Sequence, residues 1–384
     1  MTCPILLLHG SAGGYGADLQ LYALATGLDR GRFLPLVVLP EPGPLAERLA
    51  AAGVEEIYYS PVAVLRRSLL RGDRALATVR LLARNRRELG RLARREGVAL
   101  VHSNMSILLS GQAIAAEAGV PHLVHVREIF NGTGGPIGKL LWPLYRRRLE
   151  RADALACVST AVARQFKGSA RTRVLYDGVI RALALPPRAA ARRDLGVAPD
   201  AFVVGVTARI SDWKGQHILA RALAEPPLAE IGAVGLLAGD VTPGQERYER
   251  ALVHLAERLG LGERLRLLGF RDDVGTVLAA VDAIAVPSIY EDPLPQSALE
   301  SAALGLPIVA TTCGGLPEIV RDRETGLLVP PKDHVALATA LRELADHRER
   351  AHELGEAAAA DVRLRFDTRR MLADLQSCYE ELIR

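Results

Sequence analysis

The chain is 384 residues long, of which 49% are apolar and 24% charged. That is more than one ordinary core needs and enough for two or three domains; the balance excludes a disordered, collagenous or disulfide-stapled protein. The net charge of +4 hides an asymmetry: residues 1–180 carry 24 Lys and Arg against 14 Asp and Glu, while the remaining 204 carry 24 against 30. A basic first half beside an acidic second half points to two jobs, the first facing something anionic. Cys3, Cys157, Cys313 and Cys378 lie far apart with no CxxC pair, which argues against a zinc ribbon or redox pair and for reduced thiols. The opening MTCPILLLHG lacks the basic start and cleavage site of a secretory signal. No apolar run approaches the roughly 20 residues of a spanning helix. The expected location is therefore the cytoplasm.

Short apolar runs alternate with amphipathic stretches along the whole chain. PILLLH (4–9), FLPLVVL (33–39), ALVHS (99–103), HLVHV (122–126) and ALACVS (154–159) read as buried parallel strands, with helical patterns such as 17–28 and 74–96 between them. The rhythm restarts at FVVGVTA (202–208) and continues through 234–239, 265–270, 283–288 and 307–312. This alternation predicts an α/β protein with two doubly wound sheets. Residues 181–200, rich in Pro, Ala and Arg, read as an interdomain linker containing a short helix. Two Rossmann-like domains, 1–180 and 201–362, are expected to face each other across a cleft. Helical patterning runs from 333 to 384, and the segment 363–384 is expected to pack back on the first domain.

In chain order, GSAGGYG (10–16) follows a strand and precedes a helix, but its glycines do not fit GxGxxG. Such glycines bring backbone N–H groups close to a phosphate or sugar, and a tight strand-to-helix turn explains them equally well. Residues 64–96 contain 11 arginines. Leu76, Val79, Ala83 and Leu89 to Ala93 keep a rough helical stripe, so a solvated amphipathic face is one reading and attraction to anionic lipid headgroups is the other. Nucleic acid is less expected, because aromatics are only 4% of the chain and none interleaves with these arginines. GTGGPIGKL (132–140) fails the Walker pattern at Thr133 and Leu140. His9, His102 and His122 stand in or at strand ends and read as core imidazoles; no histidine spacing suggests a metal site.

The second half is more informative. In ARISDWKG (208–215), Arg209 and Lys214 leave the end of a strand, where open α/β sheets bind ligands, and two cations there suit a diphosphate as well as a solvated surface pair. Pro293 and Pro295 exclude a helix before Gln296, leaving Glu291 and Asp292 on a loop and Glu300 in the early helix. Carboxylates accept hydrogen bonds from vicinal hydroxyls, so Asp292 and Glu300 suit a polyol ligand. TTCGGLPEIV (311–320) then gives a Gly–Gly turn and a further helix start.

Taken together, ARISDWKG, AGD (238–240), LGFRDDV (268–274), residues 287–307 and CGGLPEIVRDRETGLLVPPKD (313–333) resemble the family-4 retaining glycosyltransferases of GT-B fold. The first half resembles the family more loosely, through GGYGAD, HVRE (125–128) and YDGV (176–179). The resemblance implies a nucleotide-diphosphate sugar as donor substrate on the second domain, with no separate cofactor and no metal. Arg209 and Lys214 would take the diphosphate and Glu300 the ribose. Asp292 or Glu291 would contact the sugar, while Gly239, Phe270 and Arg271 frame the base. Gly314, Gly315 and Leu316 would add backbone donors. A carbohydrate or lipid-linked acceptor would lie on the first domain near Gly13, Gly14, Asp18, His125, Arg127 and Glu128. Three positions depart from the family pattern: Asp292 where Glu is usual, Pro295 where Gly is common, and Arg127 where many members carry His.

The implied activity is sugar transfer to an acceptor hydroxyl in cell-envelope polysaccharide or glycolipid synthesis, with peripheral contact to an anionic inner membrane face through 64–96. A sugar-nucleotide epimerase or hydrolase on the same fold, and a nonenzymatic module binding anionic surfaces, remain alternatives.

Overall fold

The structure, a computed structural model, describes residues 2–14, 16–65, 72–130, 135–180 and 183–384. Tyr15 of the glycine loop, 66–71 of the arginine-rich stretch, 131–134 of the GTGG segment and 181–182 of the expected linker lie outside the described residues. The chain forms two units, Met1–Ile180 with Phe366–Arg384, and Arg181–Arg365.

The first unit is built on seven strands: β1 (Cys3–Leu8), β2 (Phe33–Leu39), β3 (Ile57–Tyr59), β4 (Leu100–Ser103), β5 (His122–Val126), β6 (Ala154–Cys157) and β7 (Thr172–Val174). All pair in parallel in the order β3-β2-β1-β4-β5-β6-β7. The run of leucines in β1 follows from burial on both faces. Ile5 and Leu7 point to one side, with Leu21, Leu24, Leu375 and Tyr379. Leu6 and Leu8 point to the other, with Leu89, Leu92, Ala93 and Ile114. The strand's period of two therefore serves two cores at once.

One of those cores is completed from far away in the sequence. The helix Thr368–Ile383 is capped by Asp367, whose carboxylate accepts from the backbone N–H of Arg369 and Arg370, and it buries Leu375, Cys378 and Tyr379 in the first unit. The Tyr379 hydroxyl lies 2.6 Å from His102 Nδ1.

The second unit carries β8 (Val203–Thr207), β9 (Val234–Ala238), β10 (Leu265–Leu267), β11 (Ala283–Val286), β12 (Ile308–Thr311) and β13 (Leu327–Val329), parallel in the order β10-β9-β8-β11-β12-β13. Val204, Val206, Leu237, Ala283 and Val309 pack there with Leu219, Leu223, Leu337 and Leu341 from the flanking helices. The described part of the expected linker is built into this unit. Its helix, Arg188–Asp194, buries Arg192, which donates to the carbonyls of Ala280, Ala198, Pro199 and Ala201 and pairs with Asp282 at 2.7 Å. Five acceptors satisfy the guanidinium, as burial of a charge requires.

Three strands were not expected from the sequence: β3, β7 and β13. Each has three residues and lies at a sheet edge, too short to show a period. The apolar stripe of the arginine-rich helix, Gly72–Arg95, also divides. Leu89, Leu92 and Ala93 are buried, whereas Leu76 and Val79 are 54% and 60% exposed beside Arg74 and Arg80.

His102, His122 and His125 are buried on β4 and β5, and burial holds all three imidazoles below their ordinary range, His122 to about 4 from 6.5. Between those values the unfolded chain binds a proton at His122 that the folded chain does not, so stability falls with acid there, by roughly 3 kcal/mol from this group. Thermal unfolding followed from pH 7 to pH 4 is expected to show a falling Tm, with a shallower fall in His122→Gln; equal slopes in both proteins would remove His122 as a cause.

Candidate active site

In the second unit the chain leaves β8 towards β9 on one side, and β11 lies on the other. Crevices of this kind form where strand order reverses, beyond the carboxyl ends of parallel strands. Five loops meet at this edge through backbone hydrogen bonds. Ala208 N–H donates to Ala238 O at 3.0 Å, Gly239 N–H to Gly269 O at 2.8 Å, and Ile289 N–H to Trp213 O at 2.8 Å. Gly315 N–H donates to Asp292 O at 2.7 Å. The Gln216 side chain, 2% exposed, donates to Arg209 O at 2.9 Å and ties the β8 loop back to its helix.

On this frame Lys214 Nζ lies 2.7 Å from Asp292 Oδ2 and 4.3 Å from the Trp213 ring centre. Ser288 Oγ donates to the same carboxylate oxygen at 3.2 Å. Lys214 is thus oriented by a carboxylate and an aromatic face together. Arg209, on the same loop, is exposed and donates to Thr242 Oγ1 at 3.3 Å. Glu291 is exposed one residue before the buried Asp292, and Glu300 is buried in the helix Gln296–Ala303. Gly239 stands at the β9 exit, and Phe270 is exposed on the β10 loop. The Arg271 guanidinium forks onto Asp273 at 2.8 and 2.6 Å. Gly314 and Gly315 turn against Asp292, and Leu316 starts the short helix Leu316–Ile319. Pro295 leaves no N–H where the helix begins, but the neighbouring Gln296 amide is buried without a protein partner at either atom.

The first-unit residues meet in a buried polar network at the same kind of edge, where β1 and β4 diverge. His9 Nε2 donates to Asp18 Oδ1 at 2.8 Å, and His9 Nδ1 accepts from Asn104 Nδ2 at 3.2 Å. Ser11 Oγ donates to Asp18 as well. Arg127 Nε donates to Asn104 O at 3.0 Å, Nη2 to Asn104 Oδ1 at 3.2 Å, and Nη1 to Asp177. Glu128 Oε2 accepts from Ser106 Oγ and from the backbone N–H of Ser106 and Arg127, and burial raises its pKa against those bonds. His125 is buried and stacks on His102 at 5.5 Å. Gly13 faces the Asp18 carboxylate, and Gly14 has open space around its α-carbon.

The structure therefore brings Asp18, His125, Arg127 and Glu128 into one neighbourhood and sets Arg209, Lys214, Asp292, Gly314 and Gly315 on hydrogen-bonded loops of the other unit. His9, Asn104, Ser106 and Asp177 were missed as members of the first network; His9 at the end of the first strand and the polar pair Ser103–Asn104 at the end of β4 were the available signals. Gln216, Ser288, Thr242 and Gln296 were missed in the second. Among the described residues, no three His, Cys, Asp or Glu side chains converge as metal ligands.

Comparison with known proteins places both halves. Residues 15–182 match the family model described as Glycosyltransferase Family 4, and residues 187–361 match Glycosyl transferases group 1. A D-inositol 3-phosphate glycosyltransferase of Salinispora tropica is 36% identical over 200 residues, 50% of this chain and 41% of that protein. One from Mycolicibacterium gilvum is 38% identical over 179 residues, 45% and 39% respectively. The match thus spans less than half the length of these curated relatives. Among solved structures, Anabaena HepE in complex with UDP and glucose superposes with a TM-score of 0.83 at 27% identity, over 98% of this chain and 99% of that one. Sucrose-phosphate synthase from Thermosynechococcus elongatus has the same fold, with a TM-score of 0.78 at 21% identity over 99% of each chain. Both sheets and their helices are those of the GT-B fold.

The turn at Gly314 has no space for a side chain. Its φ is +55°, and an added β-carbon would stand 2.1 Å from Asp292 O. Gly314→Ala is expected to displace the Asp292 loop and cost about 1–3 kcal/mol in urea unfolding. A variant as stable as the parent would show that the turn yields without strain.

Proposed function

This chain belongs to the group 1 glycosyltransferases of family 4, and we propose that it transfers a sugar from a nucleoside-diphosphate sugar to an acceptor hydroxyl, with retention at the anomeric carbon and without a metal. The observation that carries the reading is the Lys214–Asp292 contact of 2.7 Å where β8 and β11 diverge, with the exposed Arg209 on the same loop. A fixed cation at that edge neutralises the charge that builds on a departing diphosphate, and its paired carboxylate faces the sugar.

In this reading Arg209 and Lys214 hold the diphosphate as the bond between sugar and phosphate breaks with oxocarbenium character. Gly314, Gly315 and Leu316 supply backbone N–H groups to the phosphates, and Glu300 holds the ribose hydroxyls. Asp292 or Glu291 accepts a hydrogen bond from the transferred sugar. Gly239, Phe270 and Arg271 border the base. The acceptor oxygen attacks on the face that the diphosphate leaves, and an oxygen of the diphosphate takes its proton. Gly13, Gly14, Asp18, His125, Arg127 and Glu128 form the acceptor side. UDP-glucose is the first donor to test, because HepE was solved with UDP and glucose. An inositol phosphate is an acceptor class worth testing beside carbohydrate and lipid-linked acceptors, because the curated relatives are named for one. Envelope polysaccharide or glycolipid synthesis at the cytoplasmic face is the proposed setting. The exposed Leu76 and Val79 beside arginines favour peripheral contact with anionic lipid.

Lys214→Ala is expected to lower kcat by about 10²–10³-fold, measured as nucleoside diphosphate release, with the circular dichroism spectrum unchanged. Chelator should leave the wild-type rate as it is, and the product anomeric proton should keep the donor's configuration by NMR. Unchanged turnover in the variant would remove Lys214 from the diphosphate.

A further inference from the structure

Asp177 belongs to none of the roles assigned so far, yet the fold takes pains to place it. It lies just beyond β7 in the segment 176–179, and two other segments of the unit grip it. Gln20 Nε2 donates to Gly178 O at 3.1 Å from the first helix. Val179 N–H donates to Phe366 O at 3.0 Å, and Thr368 Oγ1 donates to Val179 O at 2.6 Å, both from the segment that returns before the last helix. Gly178 sits so close to that segment that an added β-carbon would be 2.5 Å from Thr368 Cα.

The grip delivers a 5% exposed carboxylate to a single cation. Asp177 Oδ2 accepts from Arg127 Nη1, and the Arg127 side chain is itself 8% exposed. Arg127 Nε and Nη2 donate to Asn104, Nη2 also lies 3.4 Å from His125 Nδ1, and Asn104 donates to His9, which holds Asp18. Asp177 Oδ1 has no hydrogen-bond partner, and His125 Nε2 lies 3.9 Å from it. A carboxylate buried for stability alone would have both oxygens satisfied. This one is spent on the orientation of one guanidinium.

We propose that Asp177 is a positioning residue of the acceptor side: it fixes Arg127, and through Asn104 and His9 it fixes Asp18. The inference rests on the glycosyltransferase reading, since Arg127 and Asp18 acquire a substrate only there. Asp177 acts through Arg127 and touches no reacting atom.

The test is a double-mutant cycle on the full chain with UDP-glucose, reading UDP release, and with UDP binding measured separately by calorimetry. Asp177→Ala is expected to lower kcat about 30-fold while the donor KM and the UDP affinity stay within about threefold, because the donor loops are in the other unit. Asp177→Asn should recover part of the loss, since its amide oxygen still accepts from Arg127. Added to Arg127→Ala, the Asp177→Ala change should cost less than about threefold more. Should Asp177→Ala not fold, the isosteric Asp177→Asn and the Arg127→Ala/Asp177→Asn pair decide by the same non-additivity. An active wild type in which the Asp177 variants keep kcat within threefold, or in which the two changes multiply, overturns the proposal alone. A folded wild type that neither binds UDP, ADP, GDP or dTDP nor releases any of them from the corresponding sugar nucleotides overturns the glycosyltransferase reading and this proposal together.

Discussion

The hydrogen bond from Ile289 N–H to Trp213 O, 2.8 Å long, spans the point where the second sheet reverses its strand order. It joins the loop that carries Arg209 and Lys214 to the loop that carries Glu291 and Asp292. Without it, the loops leaving β8 and β11 would keep their ties to other neighbours, through Ala208, Gln216 and Gly315, but lose this backbone bond to each other. With it, the backbone sets their separation and the side chains need lose little further freedom to pair. The 2.7 Å contact between Lys214 and Asp292 is therefore a consequence of main-chain geometry. The same principle extends outward through the bonds at Gly239 and Gly315, so the edge behaves as one piece.

The two units solve the same problem with different chemistry. In the second, an exposed arginine, a half-buried lysine and backbone N–H groups stand at the strand ends. In the first, the polar groups at the corresponding edge are turned inward and bonded to one another, from Ser11 and Asp18 through His9 and Asn104 to Arg127 and Asp177. A network of this kind is costly to bury unless nearly every member is satisfied, and it then fixes one geometry. Buried atoms without a protein partner remain on His125, Glu128 and Asp177 beside Arg127, and others on Gln20, His102, His122 and Thr172.

How much of this was legible beforehand follows from the range of each interaction. Strands such as β1 and β8 could be placed because their apolar runs are local and buried on both faces. Lys214 and Asp292 could be marked because each sits in a short motif after a strand. The Asn104–His9 and Arg127–Asp177 contacts could not, since they join positions 95 and 50 residues apart with no periodic signal. Edge strands of three residues carry little pattern: β3, β7 and β13 went unseen, and β10 was marked only because it opens the longer run LRLLGF. The stretch after residue 182 looked like a linker because it is rich in Pro and Arg; only the structure shows Arg192 inserted among five acceptors. The arginine-rich helix kept its apolar spacing to its first turns, but nothing in the spacing told which leucines would find a neighbour.

The helix Thr368–Ile383 sets an order on the making of the molecule. The second unit is continuous in sequence, from Arg181 to Arg365, and contains everything its core needs. The first unit is emitted earlier but lacks Leu375, Cys378 and Tyr379 until the ribosome has passed the whole of its neighbour. During that interval a strip of β1 and β4 has no cover, and His102 has no hydroxyl to meet. The half of the protein that is synthesised first is thus the half that finishes second.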